Sequence, residues 1–335
     1  MNTSTLDTLK SILSQRIMIL DGAMGTMIQR HSLAEADFRG DHFPDHPSPL
    51  KGDNDLLAIT RPEIIQSIHE AYFEVGADFA CTNSFNATTI AQADYGMEAA
   101  VYDINYQAAQ CARKAADIWT KKTPEKPRFV VGAIGPTNRT ASLSPDVNDP
   151  GMRLVTFDEL REAYLQAANA LLEGGADILM IETVFDSLNA KAGLYAMAEI
   201  RDKWGDVPVM VSGTITDASG RTLSGQTAEA FWVSMMHGDL LSIGLNCALG
   251  ANDMLPYIKR LDSISSACVS AHPNAGLPNE FGEYDESPEQ MAEQVEFFVK
   301  GGHINILGGC CGTTPEHIAE LSKLAERYAP RVMKS

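Results

Sequence analysis

The chain has 335 residues, 44% of them hydrophobic, and a formal net charge of −18 at pH 7. That acidity argues against nucleic acid or an anionic membrane as the main partner. The length allows one large barrel or two smaller domains. No apolar run approaches the roughly 20 residues that span a bilayer, and the N-terminus shows no secretory pattern, so the expected location is the cytoplasm.

The first element in chain order is a helix, with Leu6, Leu9, Ile12 and Leu13 at helical spacing. Eight strands then follow, over 16–21, 78–83, 128–134, 177–182, 207–213, 241–246, 267–271 and 303–307. Most are near-continuous apolar runs, the mark of parallel strands buried on both faces. Amphipathic helical stretches separate them, among them "PEIIQSIHEAYFEVG", "FDELREAYLQAANALLEGG" and "SPEQMAEQVEFFVKGG". A weak repeat runs through "FEVGADF", "LEGGADI" and "VKGGHIN": a helix stops at glycine and a strand begins shortly after.

Eight strand–helix units predict an α/β fold, a (β/α)₈ TIM barrel. The rival is a doubly wound open sheet. It would usually announce a G-x-G-x-x-G turn after an early strand, and "LDGAMGTM" lacks that spacing. Connections leaving strands are long at 29–60, 135–156 and 214–226, which places long loops at the C-terminal face, where barrel enzymes keep their active sites. The barrel is expected to occupy 1–328, with 329–335 a tail or the start of a linker.

Six cysteines punctuate this plan. In a large chain of a reducing compartment they do not read as a disulfide framework. Cys111 and Cys268 lie in apolar stretches and read as small buried hydrophobes. Cys247 falls just past the sixth strand, and Cys310 and Cys311 just past the eighth. Those strands are alternate members of a barrel, so their ends lie roughly 10 Å apart and inward side chains narrow the gap. In a regular strand, adjacent cysteines would point to opposite faces. The glycines in "GGCCG" let the chain bend so that both thiols can face one ligand. Three thiolates select a soft or borderline metal, with zinc the default, and leave one tetrahedral position open. Such a centre is suited to holding a fourth thiolate as a nucleophile.

The stretches "LDGAMGT", "GLNCALG" and "GGCCGTTPEH" together resemble the zinc-dependent homocysteine S-methyltransferase family over nearly the whole chain. "KGDNDLLAITRPE", "GPTNRTASLSPDVNDP", "GTITDASGRTLSGQT" and "AHPNAGLPNEFGEYD" look like the N-terminal homocysteine-binding barrel of cobalamin-dependent methionine synthases. The resemblance implies one Zn²⁺ on Cys247, Cys310 and Cys311, with the sulfur of homocysteine as fourth ligand. It also implies methyl transfer from methylcobalamin, itself charged from 5-methyltetrahydrofolate, to give methionine. The cobalamin-binding and folate-binding domains would sit elsewhere, because one barrel uses nearly all of this chain and no D-x-H-x-x-G cobalt-ligand pattern is present. The chain then reads as an excised domain or a natural short protein.

Asp21 and Glu182 fall at strand ends and are candidates for the substrate ammonium. The amide around Gly22 and the hydroxyl of Thr82 are candidates for its carboxylate. Asn274, in "HPNAGLP", is placed to approach the open metal position, although turn chemistry accounts for it equally well. His272 reads as a packed or orienting residue. Thr313 or Thr314 can cap the helix after the cysteines, with Pro315 early in it. Cys81 stands where close relatives would carry glutamate. Three other readings stay open: a self-sufficient methyltransferase using S-methylmethionine or betaine, a zinc hydrolase, and a non-catalytic zinc-binding module. The eight histidines contain no H-x-H pair, which counts against the hydrolase.

Overall fold

The computed structural model describes residues 4–217 and 219–334. Its strands are β1 (Met18–Ile19), β2 (Phe79–Cys81), β3 (Phe129–Ile134), β4 (Ile178–Val184), β5 (Val209–Gly213), β6 (Ser242–Asn246), β7 (Cys268–His272) and β8 (Ile306–Leu307). All pair in parallel, in the order β1-β8-β7-β6-β5-β4-β3-β2. The ring closes between β1 and β2 through a Leu20–Phe79 bridge and a 2.7 Å bond from Asp78 N–H to Ile19 O.

A helix follows each strand: α1 (Pro62–Glu74), α2 (Val101–Lys122), α3 (Phe157–Glu173), α4 (Ser187–Trp204), α5 (Ala228–Met235), α6 (Ala251–Ile264), α7 (Pro288–Lys300) and α8 (Pro315–Ala325). This is the (β/α)₈ barrel that the alternation predicted. Gly76, Gly175 and Gly302, from the repeated helix–strand junction, take φ of 109°, 106° and 64°, the left-handed region that side-chain-bearing residues resist.

Most strands are shorter than their apolar runs, and β1 and β8 keep only two residues each. At β1 side chains add to the pairing: Asp78 accepts from Ile19 N–H at 2.8 Å and pairs through both oxygens with Arg16, just before the strand. β4 runs past its expected end to Val184, and its register with β5 breaks between Ile181 and Val184.

Alternating strand residues fill the barrel. Met18, Leu20, Phe79, Val131, Met180, Met210 and Ile306 form one buried cluster with Leu9 and Leu13. The latter two belong to the N-terminal helix (Thr5–Leu13), which therefore plugs the N-terminal mouth with the apolar stripe read from the sequence. A second, larger core lies between the strands and the outer helices.

The segment beyond 328 also touches this closed end. Arg331 is only 2% exposed, and its guanidinium donates to Asp262 Oδ1, to Ala267 O and to Ser265 O. Its amide bonds Ile304 O at 3.0 Å. Among the described residues, no helix is long and apolar enough to cross a membrane.

Candidate metal centre and substrate pocket

The open end of the barrel is built by the loops that leave the strands. β7 lies between β6 and β8, and the loop after it ties the two cysteine turns together. Cys247 N–H donates to His272 O, Cys310 N–H to Pro273 O at 2.9 Å, and Ala275 N–H to Cys311 O at 3.0 Å. The three sulfurs consequently lie within 4.8 Å of one another.

The glycines of the turn act in two ways. Gly312 takes a left-handed φ of 81°. Gly308 and Gly309 are needed for close approach: an added Cβ would lie 2.7 Å from Leu20 Cβ and 2.5 Å from Thr313 Oγ1. The turn is fastened by Thr313 Oγ1, which donates to Cys310 O and accepts from Ala23 N–H. Thr314 is the N-cap of α8, with Pro315 in its first turn.

The donor set fits zinc. Cys247 Sγ and Cys311 Sγ are 3.7 Å apart. Two sulfurs at the usual zinc–sulfur distance with a tetrahedral angle would be about 3.8 Å apart, whereas a disulfide would need about 2.05 Å. The thiols share charge as an interacting set. The hydrogen bond from Cys247, and then that from Cys310, pulls Cys311 well below the usual thiol range. A separate hydrogen bond between Cys247 and Cys310 pushes Cys310 well above it. Full ionisation of all three calls for a cation among them.

Beside the sulfurs opens a cavity of about 950 Å³, lined by Asp21, Gly22, Cys81, Thr82, Glu182, His272 and Tyr284 as well as the three cysteines. Asp21 is 3% exposed, and its Oδ2 accepts from Cys81 N–H at 2.9 Å. Burial, with a lesser push from the charge of Glu182, raises its carboxyl to about 8. Burial likewise raises Glu182 to about 7. Two acids held this way favour a ligand that brings its own positive charge.

The protein-family model described as Homocysteine S-methyltransferase matches residues 18–325. The chain belongs to that family. Three solved structures of the homocysteine methyltransferase MmuM from Escherichia coli share the fold of this family member. The oxidized form has a TM-score of 0.73 at 22% identity, covering 96% of this chain and 99% of that one. The metallated form gives 0.73 at 23%, with the same coverage. The apo form gives 0.69 at 21%, covering 96% of this chain and 100% of that one.

Within this homocysteine S-methyltransferase barrel, the expected substrate residues are placed unevenly. Asp21, Gly22, Thr82 and Glu182 all line the cavity. The Thr82 hydroxyl is already engaged, accepting from Ala133 N–H at 2.9 Å and meeting Ser84 Oγ at 2.6 Å. Asn274 is buried outside the lining; its N–H bonds Leu249 O, and its Oδ1 has no partner among the described residues. Cys81 lines the pocket next to Asp21, and His272 does so from β7.

Three residues that the sequence reading passed over also belong here. Asp55, in the loop after β1, is a third carboxyl at the cavity and is buried like Asp21, raised to about 7 by burial and then by Asp53. Thr183 follows Glu182 with a left-handed φ of 56°, and Cys247 and Ala248 take 59° and 58°. Such strain in residues other than glycine collects at functional sites. Asn246 ties Thr183 to Cys310 through its side chain. Asn246 alone left a trace in the sequence, a polar side chain closing a largely apolar strand, though nothing there named its partners.

Proposed function

We propose that this barrel binds homocysteine and presents its sulfur for methylation, with methylcobalamin on another domain or protein as the donor and methionine as the product. The observation that carries this reading is three thiols within 4.8 Å at the head of a cavity whose wall holds two acids, Asp21 buried and Glu182 half-buried. Cys247, Cys310 and Cys311 would hold a zinc ion, which would supply the Lewis acidity that lets a substrate thiol ionise at neutral pH. Asp21 and Glu182 receive the ammonium and so fix the amino-acid end of the substrate. The Gly22 amide lies on the same wall for its carboxylate. The sulfur then forms its bond to the methyl carbon as the donor bond breaks, and the donor keeps the electron pair.

The shape of the open end supports a donor that docks. Val147 and Leu154 in the loop after β3, Leu223 after β5, and Leu277 and Phe281 after β7 are exposed apolar side chains on loops of this face. A second reading, transfer from S-methylmethionine or betaine without a partner, draws support from the near-complete overlap with MmuM, itself a homocysteine methyltransferase.

A donor assay on the zinc-loaded chain separates the two. Methionine should form with free methylcobalamin and not with S-methylmethionine or betaine; product from either of the latter alone sinks the cobalamin reading. Zinc content tests the centre beneath both readings. The wild type should hold one zinc per chain and Cys310→Ala almost none, and equal contents in the two would refute the assignment.

A further inference from the structure

Asn246 ends β6 one residue before Cys247 and is 1% exposed. Its side-chain amide reaches three different elements. Oδ1 accepts from Ser212 Oγ on β5 at 2.7 Å and from Thr183 N–H on β4 at 3.1 Å. Nδ2 donates to Thr183 Oγ1 at 2.8 Å and to Cys310 Sγ, beyond β8, at 3.8 Å. Every donor and acceptor of the amide is thus used in a buried place, where an unmet one would be costly.

Two of these contacts bear on the site. Thr183 is held at both its amide and its hydroxyl while its backbone sits at φ 56°, a conformation a β-branched residue avoids. The register break of β4 falls at this point, and Glu182 is the residue before it. An N–H···S bond to Cys310, in turn, stabilises the charge of the sulfur as a thiolate ligand. Groups that orient metal ligands in this way set affinity nearly as much as the ligands do.

We infer that Asn246 is a positioning residue that fixes two parts of the site at once, the Cys310 sulfur for the metal and the Glu182 carboxyl for the substrate ammonium. It joins the centre on β6 and β8 to the acid on β4 without touching substrate. The inference rests on the zinc and homocysteine reading above and assigns the spacing between its two halves to one side chain.

The test uses two readouts on the purified chain: zinc affinity by competition with a chromophoric chelator, and homocysteine affinity by calorimetry at saturating zinc. Asn246→Ala should weaken zinc by about 10–100-fold and weaken homocysteine as well. Adding Thr183→Gly should recover homocysteine affinity several-fold and leave zinc weak, because glycine adopts the left-handed conformation without being held there. A merely structural role would move both readouts together. If Asn246→Ala does not fold, Asn246→Asp serves instead. It keeps the acceptor for Ser212 and for Thr183 N–H but replaces the donor with an acidic oxygen that faces the Cys310 sulfur, so zinc affinity should still fall. Zinc affinity within two-fold of wild type in the folded variant overturns the proposal. A double variant that recovers no homocysteine affinity overturns the Thr183 half. A wild-type chain that takes up no zinc refutes the proposed function instead, which keeps the two failures apart.

Discussion

At the residue scale, the least comfortable side chain lies away from the pocket. His69, on α1, is fully buried, and neither ring nitrogen has a partner among the described residues. Burial pushes its pKa down to about 3 from an ordinary 6.5. The folded chain therefore keeps the ring neutral, while the unfolded chain takes up a proton below about pH 6.5. The sign follows from linkage: the stability is whole above pH 6.5 and is lost as pH falls from there toward 3. Replacing His69 by Phe should flatten this limb of the stability curve, read from urea midpoints between pH 7 and pH 4. An unchanged slope would place the acid sensitivity elsewhere. The cysteines differ from His69 in kind. Cys111 and Cys268 are buried in apolar surroundings and raised to about 11, as inert core thiols should be.

At the element scale, the N-terminal helix shows how an amphipathic stripe finds its place. Leu9 and Leu13 face the barrel interior and are 0% and 1% exposed, while Ser4 accepts from Asp7 N–H to start the helix. Leu9→Ala should cost about 2–5 kcal/mol in unfolding free energy and leave homocysteine affinity unchanged, because the plug closes the mouth opposite the pocket. A loss of affinity equal to that of a pocket variant would contradict this separation of the two ends. Elements of this kind were legible because period and length are local properties. The strands, the helix-ending glycines and the cysteine turn could all be read within windows of a few residues. Asn246 and Thr183 could not. Their roles depend on a bond between residues 63 positions apart and on a backbone dihedral that residue type does not announce. Arg331 was hidden for the same reason: most of its partners are backbone carbonyls of 262–267, which carry no residue signature. The loop after β3 reads as long and polar, yet Asp186, the N-cap of α4, grips it by accepting from Ser142 N–H at 3.0 Å.

At the scale of the whole molecule, the barrel topology concentrates acid at its open end. Asp21 and Asp55 arrive from the loop after β1 and Glu182 from the end of β4, and all three line one cavity. Their pKa values are raised, first by burial, to about 8, 7 and 7. With a raised folded-state pKa, their contribution to stability is whole below about pH 4 and is lost as pH rises toward 8. A bound ammonium reverses that trend, because it favours the ionised carboxylates. Methionine isolates this effect, since it carries the ammonium and no thiol to ionise. On the zinc-loaded chain its affinity should therefore tighten as pH rises from 6 to 8, as Asp21 and Glu182 give up protons to make the pair. Asp21→Asn should weaken binding and flatten the dependence, because an amide has no proton to release. Calorimetry at pH 6, 7 and 8 in buffers of different ionisation enthalpy reads both the affinity and the protons released. A wild-type affinity that stays level over this range, with no proton release, would mean that the acids do not receive the amino group.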